Sequence, residues 1–224
     1  MKPNQIENNR YKKNDFCSIN KEEQIMFNLL DHHSKKIKKK PKDMIVLDIG
    51  CGSGRITKRI LDKGYNVQGL DFSEEAVLKS KQIGIKATVC DLDKGIIAND
   101  NTYDIVWAGD IIEHVFDPIG LLQESNRVLK KNGALLMTIP SDVGLISRIK
   151  ILFGQSYQSG MYKSSGYYKH HTFFNIDLIK FMLKKSGFRI LTLRKLLLLG
   201  SLRINASGAP SAFYNEMIIY AKKI

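Results

Sequence analysis

The stretch Val46-Leu47-Asp48-Ile49-Gly50-Cys51-Gly52-Ser53-Gly54 constrains the fold of this chain more than any other. Met44–Ile49 is a short continuous apolar run, as expected of a strand buried on both faces. Three glycines follow in a G-x-G-x-G spacing. Arg55–Lys63 then shows helical periodicity and stops at Gly64. Glycines let backbone approach a ligand closely, and the helix N-terminus behind them offers N–H groups with no partner inside the helix. The spacing differs from the G-x-G-x-x-G of dinucleotide sites, which disfavours a dinucleotide oxidoreductase. Asp48 sits inside the strand end. A carboxylate there is poor company for a pyrophosphate and good company for a ligand carrying an amine or a cation.

Strands and helices alternate from that point on. Tyr65–Leu70, Lys86–Cys90, Tyr103–Ala108 and Ala134–Ile139 read as further strands. Ser73 is placed to cap a helix that opens with Glu74 and Glu75 and runs to about Gln82, the acids suiting its positive end. Pro118 suits the first turn of a helix to Lys131, with Asn132-Gly133 as its stop. Ile176–Lys185 is a helix ended by Ser186-Gly187, and Phe188–Arg194 and Met217–Ala221 close the chain as strands. Before the alternation, Ile25, Leu29, Leu30 and Ile37 mark an amphipathic helix. The β-α-β-α order predicts an α/β, doubly wound, mostly parallel sheet. Two stretches, Ser141–Phe174 and Lys195–Asn215, exceed ordinary loop lengths and are expected as lids or substrate walls.

LDIGCGSG resembles the first motif of class I S-adenosylmethionine-dependent methyltransferases, and the resemblance extends over residues 44–224. It implies a three-layer Rossmann-like fold with a mostly parallel seven-stranded sheet, its last strand antiparallel. It also implies S-adenosylmethionine as cofactor, held by Asp48, Gly50, Cys51 and Gly52. In Gly69-Leu70-Asp71-Phe72-Ser73, Asp71 matches the acidic residue that binds the ribose hydroxyls, and its offset of ~20 residues suits the end of the second strand. Phe72 is placed to pack on the adenine or in the core. In Val89-Cys90-Asp91-Leu92, Asp91 matches the acceptor of the adenine amino group, with Leu92 beside it, and Gly109 ends the fourth strand beside the cofactor. The implied organisation is a helical lead-in (1–43), a cofactor half (44–140) and a substrate-side half (141–224).

Asp110-Ile111-Ile112-Glu113-His114-Val115-Phe116-Asp117-Pro118 follows the fourth strand, at the carboxyl edge where open α/β sheets place their active crevice. It resembles the E-H-V-x-D-P segment of small-molecule, quinone-type and sugar O-methyltransferases. His114 is the candidate base for a hydroxyl proton; the alternative role is to orient the loop. Asp110, Glu113 and His114 also stand where some quinone-biosynthesis and small-RNA 2′-O-methyltransferases carry the metal-binding E-x-x-E-H, with Asp in place of the first Glu. Two carboxylates and an imidazole suit a divalent metal, but the shorter Asp and the frequency of the bare E-H pair disfavour one, and no metal is expected. His170, in Tyr168-Lys169-His170-His171-Thr172-Phe173-Phe174, matches the histidine of an H-x-R-F-F segment, with Thr172 where arginine is usual. It is a second candidate base, a metal ligand or a lid-fixing residue. Ile146–Phe153 mixes apolar and basic residues and reads as a lid or core helix, or as a peripheral membrane contact. Tyr157, Tyr162, Tyr167 and Tyr168 are candidates to stack on an acceptor ring.

Charge bears on the acceptor. The 224 residues carry a net charge of +13, made of +5 in residues 1–43, −2 in 44–140 and +10 in 141–224. The acidic middle is the cofactor half. The basic C-terminal third is expected to wall an acceptor carrying phosphate or carboxylate, or to be a solvated lysine-rich surface. RNA 2′-O-methylation is the alternative function, disfavoured because neither an appended RNA-binding module nor an N/D-P-P-Y-type motif is legible. Three cysteines without metal-type spacing, no apolar leader and no apolar run near ~20 residues suggest a reduced, cytoplasmic protein.

Overall fold

A computed structural model describes residues 19–141, 144–154, 170–199, 202–206 and 214–224. The elements, in chain order, are α1 (Lys21–Lys36), β1 (Ile45–Ile49), α2 (Arg55–Asp62), β2 (Asn66–Asp71), α3 (Glu74–Gln82), β3 (Lys86–Val89), β4 (Tyr103–Gly109), α4 (Pro118–Val128), β5 (Leu129–Pro140), α5 (Leu145–Leu152), α6 (Ile176–Lys185), β6 (Phe188–Leu199), β7 (Leu202–Asn205) and β8 (Glu216–Lys223). One sheet runs β3-β2-β1-β4-β5-β8-β6-β7. The first five strands pair in parallel, and β8 is antiparallel to both β5 and β6. The order reverses at β1, beside β4, so the cleft at the carboxyl ends of these two strands is the switch point of a doubly wound sheet.

The sheet is covered on both faces. Met26, Phe27, Leu29 and Leu30 of α1 and Ile60 of α2 pack on one face with Val46, Ile105, Leu136 and Ile218. Leu121, Leu122 and Val128 of α4 and Ile179 and Leu183 of α6 pack on the other with Leu47, Val106, Leu135 and Ile219. Each such fully buried aliphatic side chain contributes about 1.5–3 kcal/mol. Local signals set the ends of the helices. Asn20 caps α1 in a capping box with Glu23, Ser73 accepts from the Ala76 N–H at the start of α3, and Asp117 accepts from the Gly120 N–H at the start of α4.

The sheet has eight strands where seven were expected. The apolar residues Leu196–Leu199 continue β6, and β7 pairs back on them from Leu196↔Asn205 to Leu199↔Leu202. Much of the expected loop Lys195–Asn215 is therefore strand. Helix α4 also stops three residues early. Leu129 leaves it to pair with Tyr103, and the side chain of Lys130 reaches Asp104 at 3.0 Å. Asp104 is buried and also binds Lys39 (2.5 Å) and the Ile45 N–H (3.0 Å), so it pins the amino edge of the sheet. On α5, Ile149, Ile151 and Leu152 are exposed. The four loop tyrosines, Cys17 and most of Asn205–Pro210 lie outside the described residues. Among the described residues, no helix is long and apolar enough to cross a membrane.

His33 carries a stability prediction. It is buried under α1 with Nδ1 2.9 Å from the Tyr220 hydroxyl, and Nε2 has no hydrogen-bond partner. Burial pulls its pKa down to about 4, with Asp104 opposing and Lys36 and His32 adding. The unfolded chain binds this proton more readily, so the contribution is complete above pH 6.5 and is lost as pH falls from 6.5 towards 4. The full effect is about 3 kcal/mol. Urea unfolding between pH 7 and 5 should show stability falling, and His33→Leu should flatten that fall.

Candidate active site

The glycine loop is bound to β2 by backbone. The Gly50 and Cys51 N–H groups both donate to the Leu70 carbonyl, at 2.8 and 2.9 Å. Gly50 has φ +75°, and a Cβ there would sit 2.7 Å from the Ile111 side chain, so the loop and the segment after β4 close on each other only through glycine. Gly69 serves the same end from β2, since a Cβ on it would lie 2.6 Å from Cys51 Sγ. Burial, with Asp48 and Asp71 adding, raises the Cys51 thiol far above its usual range, which suits packing rather than nucleophilic chemistry.

Two carboxylates frame the loop. Asp48 is buried and accepts from the Thr57 hydroxyl at 2.6 Å. Burial pushes its carboxyl up to about 7, Thr57 opposes, and the charge of Asp71 adds. Asp71 accepts from the Gly52 N–H (2.7 Å) through one oxygen and the Ser73 N–H (2.9 Å) through the other. These bonds fix the carboxylate at the end of β2 and leave each oxygen a lone pair for a ligand hydroxyl. Phe72 next to it is 74% exposed, so its ring lies at the surface rather than in the core. Asp91 is partly exposed at the end of β3, where it accepts from the Asp93 N–H and pairs with Lys94, and Leu92 is buried. Asp48, Gly50, Cys51, Gly52, Arg55, Trp107 and Gly109 line a cleft of about 170 Å³.

Arg55 was not singled out from sequence. It follows the glycine loop directly and forms a two-pronged ion pair with Glu23, the capping-box residue of α1. The helix N-termini of α1 and α2 are thereby joined over the cleft. Its position, one residue beyond the last glycine, was the available signal.

At the carboxyl end of β4, Glu113, His114 and His170 bring one ligand atom each to within 4.8 Å of one another. The rings of His114 and His170 meet edge to face with centroids 5.0 Å apart. Burial and then His114 lower the His170 pKa, which favours neutral imidazole, and its Nδ1 is buried with no hydrogen-bond partner. The neighbouring His171 donates its N–H to the Glu113 carbonyl at 2.7 Å and stacks on Phe116 at 4.1 Å, so backbone and rings together hold the His170 segment against the loop after β4. Asp110 stands apart from this group, unlike the expected Asp110–Glu113–His114 set. It has φ +49°, and its carboxyl accepts from the Thr138 hydroxyl at 2.8 Å, which turns it away from the histidines. Asp110 is exposed as a residue, though protein crowds its carboxyl. That loss of hydration, with Glu23 adding and Thr138 opposing, raises its pKa.

Residues 47–137 match a protein family described as a methyltransferase domain. Over those residues the chain is similar to a methyltransferase domain. Ubiquinone biosynthesis O-methyltransferase of Vibrio cholerae is 34% identical over 94 residues, covering 39% of this chain and 38% of that protein. The human mitochondrial ubiquinone biosynthesis O-methyltransferase is 28% identical over 159 residues, covering 66% of this chain and 42% of that one. The chain thus spans about two fifths of the length of these curated relatives. A Thermotoga maritima structure described as a methyltransferase, possibly of histamine N-methyl transfer, superposes with a TM-score of 0.64 at 19% identity, covering 90% of this chain and 92% of that one. That likeness shows the fold. The glycine loop, Asp71 and the segment after β4 all fall inside the matched residues.

Proposed function

We propose that this chain is an S-adenosylmethionine-dependent methyltransferase acting on a hydroxyl of a small molecule. The observation that carries the reading is the convergence of two elements on one sheet edge. One is the glycine loop framed by Asp48 and Asp71; the other is the Glu113–His114–His170 group, formed where the His170 segment meets the adjacent loop after β4. The donor set suits this cofactor: Asp71 offers paired acceptors to ribose hydroxyls, Asp48 suits an amine, and exposed Phe72 offers an apolar face to a base. Bound S-adenosylmethionine supplies a methyl carbon attached to a sulfonium. The chain's own contribution is proximity, alignment and proton handling. Asp71 and the loop N–H groups orient one partner, and His114 takes the proton of the acceptor hydroxyl as its oxygen attacks. The names of the ubiquinone O-methyltransferase relatives support an oxygen acceptor.

A metal-assisted form of the same reaction is favoured by one observation. Glu113, His114 and His170 present a carboxylate and two imidazoles within 4.8 Å, and His170 Nδ1 is a buried nitrogen without a hydrogen-bond partner. These donors suit a divalent metal, which would lower the pKa of a hydroxyl held beside it. Methyl transfer from labelled S-adenosylmethionine should be measured over a panel of phenols, sugars and quinols, with and without chelator. The reading predicts turnover on at least one hydroxylated class. Loss on chelation with recovery on adding magnesium or zinc selects the metal-assisted form. Cofactor binding with no turnover on any acceptor class would favour a binding protein that kept only the fold.

A further inference from the structure

Glu216 has no part in the chemistry above, and its surroundings are unusual. It opens β8 between Pro140 of β5 and Leu196 of β6, at the carboxyl edge of the sheet. Alternation along β8 puts it on the α1 face with Ile218, and Ile218 pairs with Thr138, the residue that holds Asp110. Glu216 is 6% exposed, and its Oε1 has no hydrogen-bond partner. Burial, and then the charges of three acids among the described residues, Asp110 foremost and then Glu22 and Glu113, raise its carboxyl well above the usual range. A buried carboxyl without a full set of hydrogen bonds among three other acids is costly in the free protein. Apolar packing at this strand end would cost less, so the arrangement is matched to something that arrives.

We propose that Glu216, with Asp110 beside it, forms a subsite for a cationic group of the acceptor, an ammonium carried on the same molecule as the hydroxyl that is methylated. The proposal rests on the reading of this edge as the acceptor side of a methyltransferase. An ammonium offers three donors and one positive charge, which satisfies Oε1 and relieves the repulsion among the acids. A carboxylate or phosphate would add to that repulsion. The net charge of the C-terminal third suggested an anionic acceptor, but the charges that act on Glu216 itself are those of acids, and salt screens more remote charges.

Calorimetry on protein saturated with S-adenosylhomocysteine tests this with two matched trios: tyramine, tyrosol and 4-hydroxyphenylacetate, and glucosamine, glucose and glucuronate. In at least one trio, the ammonium member should bind about tenfold tighter than the neutral one, with the carboxylate weaker still. Glu216→Gln should bring the ammonium member to the level of the neutral one while S-adenosylhomocysteine still binds, and Glu216→Asp should restore part of the preference. Equal binding of ammonium and neutral members, no binding by either ammonium member, or a preference that survives Glu216→Gln would overturn the subsite. Failure of the wild-type protein to bind S-adenosylhomocysteine would instead count against the methyltransferase reading.

Discussion

Asp71→Ala is expected to weaken binding of S-adenosylmethionine and S-adenosylhomocysteine by about 100- to 1,000-fold, equivalent to about 3–4 kcal/mol. Two losses combine. The ribose hydroxyls lose a charged acceptor, and the Gly52 and Ser73 N–H groups lose the oxygens that now hold them at 2.7 and 2.9 Å. The second loss loosens the glycine loop, because only the two bonds to the Leu70 carbonyl would still tie it to β2. Asp71→Asn keeps one acceptor oxygen and should fall between wild type and alanine. Calorimetric titration of each variant measures the effect. A tenfold change or less would mean that the end of β2 does not contact the cofactor.

His114→Ala is expected to lower kcat by about 100- to 10,000-fold, the range for removing a positioned acid–base group, and to leave S-adenosylhomocysteine affinity close to wild type. The separation follows from position. His114 sits on the loop after β4, in contact with His170 and Glu113, whereas the cleft at the glycine loop is lined by Asp48, Gly50–Ser53, Arg55, Ile56, Trp107 and Gly109. His170→Ala separates the two chemical forms of the reaction. If His114 acts alone as base, removing His170 costs positioning and leaves the rate insensitive to chelator. If the group holds a metal, either substitution removes the metal dependence together with most of the rate. Single-turnover methyl transfer with labelled cofactor reads both outcomes. Equal turnover in wild type and His114→Ala would remove this histidine from the chemistry.

The strand, turn and helix of the glycine loop were largely legible in sequence because they are built from local signals. Strand, glycine turn and helix lie within nineteen consecutive residues, from Met44 to Asp62, and Ser73 caps α3 by a bond three residues along the chain. The acceptor side was legible only in its candidates. His114 and His170 are 56 positions apart in the chain, and their meeting depends on the His171 N–H reaching the Glu113 carbonyl, which no periodicity encodes. Asp110 illustrates the limit of spacing arguments. Its place two residues before Ile112 suits a ligand set, but a left-handed backbone and the Thr138 hydroxyl, 28 positions away, turn it elsewhere. Glu216 and Arg55 drew no notice for the same reason, since each gains its meaning from partners on other elements. The eighth strand was missed because Leu196–Leu199 is a continuous apolar run, whose pairing partner determines whether it is strand or loop.

The most direct test of the account is a calorimetric titration of the wild-type protein with S-adenosylhomocysteine, alongside a nicotinamide dinucleotide as control. The geometry of the glycine loop, Asp48 and Asp71 predicts saturable one-to-one binding of S-adenosylhomocysteine and no heat from the dinucleotide. An absence of binding by the first, or binding of the dinucleotide in its place, would contradict it.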